Sequence, residues 1–258
     1  ADSLTNSFAT GSVTGGAYLG GLIGGVTSFA GINIDNVYAT GNVTGLYRVT
    51  PNFSSAYIGG LIGIVGDSSS THSGSVSITN VFATGNVSAN GGGSYVGGLM
   101  GYAESGTGIK ASLRNAYATG DVHVAAVDGV YTLGAGGLIG SANNFSISSV
   151  HADGNVSGNG SVGGLIGQAV YSTISDSYAK GAATAYDNTY FGSGGLVGFM
   201  NDSSTTNSYY NADANPQAFF RAVGSGTYQV TGLTGSQLAD SKYYANGTIG
   251  QVTAAREA

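Results

Sequence analysis

Apolar and polar residues alternate in short runs of four to seven positions along this 258-residue chain, each bounded by glycine, serine or asparagine. Alternation with period two over such lengths predicts short, half-buried strands. The runs recur as phrases. Gly-Gly-Leu-hydrophobic-Gly returns six times, at residues 20–24, 59–63, 97–101, 136–140, 163–167 and 194–198, with its leucines 39, 38, 39, 27 and 31 residues apart. A second phrase, Asn-x-aromatic-Ala-Thr-Gly-x-Val, alternates with it at Asn6, Asn36, Asn80 and Asn115, then decays at Ser149, Asp176 and Asn207. A weaker third, Ile32-Asn-Ile34 and Val76-Ser-Ile78 among its copies, precedes the second. The reading is three short strands per repeat.

Strands this short bury a core only if each repeat stacks on the next and each strand pairs with its counterpart one coil above. At about 4.8 Å per coil, six or seven coils give a rod roughly 30 Å long. Leu22, Leu61, Leu99, Leu138, Leu165 and Leu196 are expected to form an inner column. Side chains on adjacent strand residues face opposite ways. The following Ile23, Ile62, Met100, Ile139, Ile166 and Val197 are therefore either outward or turned in at a bend. Phe8, Tyr38, Phe82, Tyr117, His151, Tyr178 and Tyr209 predict a pile of rings within or beside the core. Asn6, Asn36, Asn80 and Asn115 predict amide bonds along the axis or turn caps.

The 47 glycines exclude a mainly helical protein, since each costs roughly 1 kcal/mol against alanine inside a helix. Seven basic and thirteen acidic residues leave a charge of -6, and the basic ones stand singly, so nucleic acid is not the expected partner. Without cysteine there is neither a disulfide framework nor a thiolate metal site. No apolar run approaches the roughly 18 residues of a membrane span, and membrane insertion is not expected. The first residues carry no basic and apolar leader, so a mature or excised segment of a longer polypeptide is expected.

The pairing of Tyr38-Ala-Thr-Gly-Asn-Val-Thr44 with Tyr57-Ile-Gly-Gly-Leu-Ile-Gly63 resembles the GLUG motif of bacterial surface proteins. That motif is found in large secreted adhesins similar to filamentous haemagglutinin and in some immunoglobulin-A-cleaving metalloproteases. The resemblance covers residues 6–211. It implies an all-β, right-handed parallel β-solenoid (β-helix) of six to seven coils with three short strands each. Repeats would occupy 1–211 and a C-terminal cap 212–258, with a strand at Gln229–Thr231 and a short helix from Ser236. The zinc motif of the metalloproteases, H-E-x-x-H, does not occur in this sequence. The implied role is a non-catalytic stalk or display surface, secreted or on the cell surface, without cofactor or metal.

Candidate chemistry is thin. Only His72, His123 and His151 are available as bases, and none belongs to a recognisable nucleophile motif. Asp121, Asp153, Asp176, Asp187 and Glu104 are the acids to weigh for a polysaccharide-cleaving β-helix, one rival reading. Each reads first as a turn or cap residue. The Gly-Gly-x-Gly-x-Asp calcium nonapeptide is absent. Asn-x-Ser/Thr sequons begin at Asn42, Asn52, Asn86, Asn144, Asn155, Asn159, Asn201 and Asn246. The informative deviation is a set of insertions between the second phrase and the first, carrying Tyr47, Phe53, Tyr131, Tyr186, Tyr190 and Phe191. Insertions at one repeat position project from one edge. Those rings are expected either to shield the core or to form a binding margin for a glycan or surface-protein ligand. A purely structural spacer is the remaining alternative.

Overall fold

The computed structural model describes residues 2–26, 31–46, 55–66, 74–90, 94–106, 110–126, 132–186, 192–215 and 219–240. Every strand pairing among them is parallel, and each strand lies beside its counterpart from the neighbouring coil, as in Ile34 with Ile78 and Val37 with Val81. The chain is a parallel β-solenoid. Each coil contributes to four sheets, however, where the sequence suggested three strands. One coil runs through Ile32–Ala39, Val43–Gly45, Ala56–Gly59 and Ile62–Val65 before Ser75–Ala83 begins the next.

The difference arises because the phrases mark corners. Ala-Thr-Gly-Asn-Val turns the chain from the first sheet into the second, and Gly-Gly-Leu turns it from the third into the fourth. At the second corner a single carbonyl receives two successive N–H groups from the coil before it. Leu99 O accepts from Leu61 N at 2.9 Å and from Ile62 N at 3.0 Å, and Leu138 O accepts from Leu99 and Met100 in the same way. Two consecutive donors aimed at one acceptor require a bend, which turns both side chains inward. Leu61 and Ile62 are each fully buried.

The first and fourth sheets enclose the larger core with the leucine column, and the second and third enclose a smaller one around Val43, Ile58, Val87 and Val96. The two phrases meet where they turn. A Cβ on Gly60, Gly98, Gly137 or Gly164 would abut the β-carbon of Ala83, Ala118, Ala152 or Ala179 respectively. The small residues of one phrase thus fit those of the other, which is a physical reason for their pairing in every coil.

Strands of the first sheet are longer than expected because the weak third phrase continues into the second across a kink. Asn6, Asn36, Asn80, Asn115, Ser149, Asp176 and Asn207 sit at the kink with φ between 45° and 56°. One left-handed residue shifts the alternation by one position, so Ile32 and Ile34 are buried before it and Val37 and Ala39 after it. Asparagine and aspartate tolerate this conformation better than other non-glycine residues. Their side chains also link coils, with Asn36 Nδ2 donating to Asn6 Oδ1 at 2.6 Å and Asn80 Nδ2 to Asp35 Oδ1 at 2.8 Å. Asn80→Ala is expected to cost about 1–2 kcal/mol in urea unfolding, and Asn80→Gly clearly less because glycine keeps the backbone geometry.

At the C-terminal end Phe219–Val223 extends the fourth sheet and Tyr228–Leu233 the first. The helix Gly235–Leu238 follows, opened by a capping box between Thr234 and Gln237. Leu238 packs with Leu233, Tyr178 and Tyr209 in a small separate cluster.

Candidate functional site

Of the proposed margin, Tyr47, Phe53, Tyr131, Tyr190 and Phe191 lie outside the described residues. Tyr186 is described, is 46% exposed, and places its hydroxyl 3.2 Å from His123 Nδ1. The same nitrogen is 3.0 Å from Ser157 Oγ, and the Tyr186 and His123 rings meet edge-on at 6.4 Å. A serine beside a histidine is the start of a nucleophilic site. Here the pair follows from stacking, since Ser157 and His123 are register partners on adjacent strands of the second sheet. Among the described residues no carboxylate bonds to the ring to orient it. His72 and Asp187 also lie outside the described residues.

The aromatic column is a stack outside the core. Rings at 8, 38, 82, 117, 151 and 178 follow one another at 4.6–5.2 Å with interplanar angles of 1–7°. Each ring spends both faces on its neighbours, and the terminal Phe8, 61% exposed, leaves one face open. A sugar-stacking platform needs free faces, so this column presents mainly ring edges. A second group escaped the sequence reading. Tyr18, Tyr57 and Tyr95 stack on the third sheet at 5.5 and 5.8 Å, and Tyr102 of the fourth sheet lies 5.2 and 5.0 Å from the last two at a tilt near 50°. Burial, reinforced by Glu104, pushes the Tyr102 phenol well above its ordinary range. The signal was present as Tyr-x-Gly-Gly ahead of the first three leucines.

Four of the five candidate acids are described, and each contacts a neighbouring coil. Asp121 Oδ1 accepts the Asn155 N–H at 2.7 Å, Asp153 pairs with Lys180 at 3.1 Å, Asp176 accepts from Asn207 Nδ2, and Glu104 accepts from Asn143 at 3.3 Å. Asp121 belongs to a ladder that the sequence reading saw only as sequons. Asn42 Oδ1 accepts the Asn86 N–H at 2.8 Å, Asn86 Oδ1 that of Asp121 at 2.9 Å, and Asn155 Oδ1 that of Ala182 at 3.0 Å. Each acid or amide in Gly-Asn-Val thereby fastens its corner to the next coil. Among the described residues no group of three or more metal-ligating side chains gathers, and no helix is long and apolar enough to cross a membrane.

Comparison with known proteins follows the same phrases. Residues 92–122 and 158–184 match the GLUG motif. Halomucin of Haloquadratum walsbyi is 35% identical over 227 residues, which is 86% of this chain and 2% of that protein. The chain therefore spans a small fraction of the relative it matches. No solved structure matches it. Residues 92–122 and 158–184 are GLUG repeats, and the chain that carries them is a parallel β-solenoid built by stacking such units.

Proposed function

We propose that this chain is a non-catalytic repeat module of a large secreted or cell-surface polypeptide, serving as a stiff stalk with side insertions that contact glycan or protein. One observation carries the reading. Outward columns bond to themselves along the axis, ring on ring and amide on backbone, so the surface chemistry is directed to rigidity. Of the acids that a polysaccharide-cleaving site would use, Asp121, Asp153 and Asp176 are held in contacts with neighbouring coils. Similarity to a short stretch of a much longer halomucin fits one module among many.

Of the insertion rings Tyr186 is the one among the described residues, and it stands exposed at the start of its insertion. A glycan and matrix-protein array is to be probed with the wild type and with a Tyr131→Ala, Tyr190→Ala, Phe191→Ala triple variant. Binding by the wild type that falls at least several-fold in the variant supports display by the margin. Binding that survives unchanged removes the margin, and no binding at all leaves the spacer reading.

A further inference from the structure

One corner residue departs from its column. Asn144, Tyr171 and Asp202 occupy the same position in three successive coils, just after the register partners Asn143, Val170 and Asn201, where the fourth sheet turns toward the first. All three are left-handed, at φ 57°, 48° and 44°. Asparagine and aspartate adopt that conformation with little cost, whereas a bulky residue there is an outlier. The tyrosine ring is 60% exposed, and among the described residues it meets no other ring and its hydroxyl makes no hydrogen bond. Strain held beneath a ring turned to solvent points to function rather than packing.

That ring borders an open depression of about 440 Å³ on the first sheet, a volume that small ligands occupy. A column of hydroxyls lines it. Ser112, Ser146 and Thr173 are register partners, and each has a buried residue on either side, so their side chains face outward. None of these hydroxyls bonds to the protein among the described residues. Arg114 stands two residues beyond Ser112 on the same face, exposed and without a described acid partner, whereas Lys180 is paired with Asp153. Asn144 also lines the depression. Its Nδ2 donates to the carbonyls of Ser105 at 3.2 Å and Gly106 at 3.0 Å, which leaves its Oδ1 to accept.

We propose that this groove binds an acidic saccharide, with Tyr171 stacked on a sugar ring and Arg114 holding the carboxylate of a uronic acid unit. A pyranose presents a C–H face and a rim of hydroxyls. An exposed phenol ring covers the first. Ser112, Ser146, Thr173 and Asn144 Oδ1 supply donors and acceptors for the second. A planar carboxylate matches the fork of the guanidinium, and such charge-assisted pairs are the stronger hydrogen bonds. Coils are about 4.8 Å apart. Arg114 and Tyr171, two coils removed from each other, thus engage successive parts of one oligosaccharide. An acidic peptide would satisfy Arg114 but leave the hydroxyl column and the ring without a partner of matching shape. The groove is separate from the side insertions and does not depend on what they bind.

Oligomers of galacturonic and glucuronic acid, and their methyl esters, are to be titrated calorimetrically into the full chain and its variants. The wild type is expected to bind an acid form, and the matching ester about tenfold more weakly or less, since esterification removes the charge and keeps the sugar. Arg114→Gln is expected to lose that preference. Tyr171→Asn is expected to weaken acid and ester alike by at least several-fold while raising the melting temperature, because asparagine fits the left-handed corner as Asn144 does. A loss of binding joined to a gain in stability separates function from packing. The Tyr131→Ala, Tyr190→Ala, Phe191→Ala triple variant is expected to bind these sugars as the wild type does, so failure of the margin and failure of the groove are told apart. No binding of either acid, equal binding of acid and ester, tighter binding of a glutamate-rich peptide, or unchanged binding by Tyr171→Asn overturns the proposal.

Discussion

Gly137→Ala is expected to cost more than about 4 kcal/mol, the range reserved for changes that break a defined packing feature, and to leave little folded chain at 37 °C. Gly137 is the second glycine of the phrase at the corner between the third and fourth sheets. A Cβ there would run into the carbonyl oxygen of Gly164, one coil on, and stand 2.8 Å from Ala152 Cβ. Overpacking usually costs about 1–3 kcal/mol because side chains change rotamer to make room. Neither neighbour here has a rotamer to change. The carbonyl belongs to the corner of the neighbouring coil, where Gly137 N donates to Gly163 O at 3.2 Å. Moving it separates coils that share the leucine column. Gly16→Ala is the control, because nothing lies within 4 Å of its added carbon. That variant is expected to stay within about 0.5 kcal/mol of the wild type. Combining Gly137→Ala with Ala152→Gly relieves one contact and leaves the carbonyl clash, so its urea midpoint is expected to recover only in part.

The same contact shows why the architecture was legible. A repeat whose small residues must touch backbone in the next coil tolerates few substitutions, and so Gly-Gly-Leu and Ala-Thr-Gly persist while the intervening loops vary. Stacking, the leucine column and the ring pile could all be read from that persistence. Strands per coil could not, because period-two alternation locates a strand but does not reveal a corner inside the phrase that contains it. The isoleucine beside each leucine stayed ambiguous for the same reason, until the two-donor bend turned it inward. At the kink the sequence offered amide bonding or turn geometry for Asn36 and its kin. The structure uses both. The Gly-Asn-Val ladder was hidden because its asparagines read equally as composition. Its role depends on which atom meets the next coil, and a sequence does not show that. Asp121 is instructive here. As an acid it read as a candidate catalyst, yet it stands in an asparagine position and supplies the same acceptor oxygen.

Acid sensitivity is expected to centre on His151, the one imidazole in the ring column. It lies between Tyr117 and Tyr178 at 5.1 and 4.8 Å, largely buried, with no hydrogen-bond partner for Nδ1 among the described residues. Burial removes water from the charged form and lowers its pKa from 6.5 to about 4. Asp153 opposes that effect and Lys180 adds to it. The folded chain therefore binds fewer protons than the unfolded chain between these two values, and stability rises with pH across that interval. Above 6.5 the full contribution is present. It is lost as pH falls toward 4, by about 3 kcal/mol at most, and changes little below. His151→Phe keeps an aromatic ring in the stack and removes the titration. Acid acts on more of the chain than this one ring, so the informative quantity is the difference between the two chains. The variant is expected to lose about 3 kcal/mol less than the wild type when urea unfolding is compared at pH 7 and pH 4. Equal losses would mean that the imidazole is charged inside the stack, held there by Asp153. Removing the competing cation with Lys180→Ala leaves Asp153 free to stabilise the imidazolium, and is expected to shrink the histidine contribution by raising its folded pKa toward 6.5. A stack that otherwise ignores pH would then owe its acid response to one ring substituted at one coil.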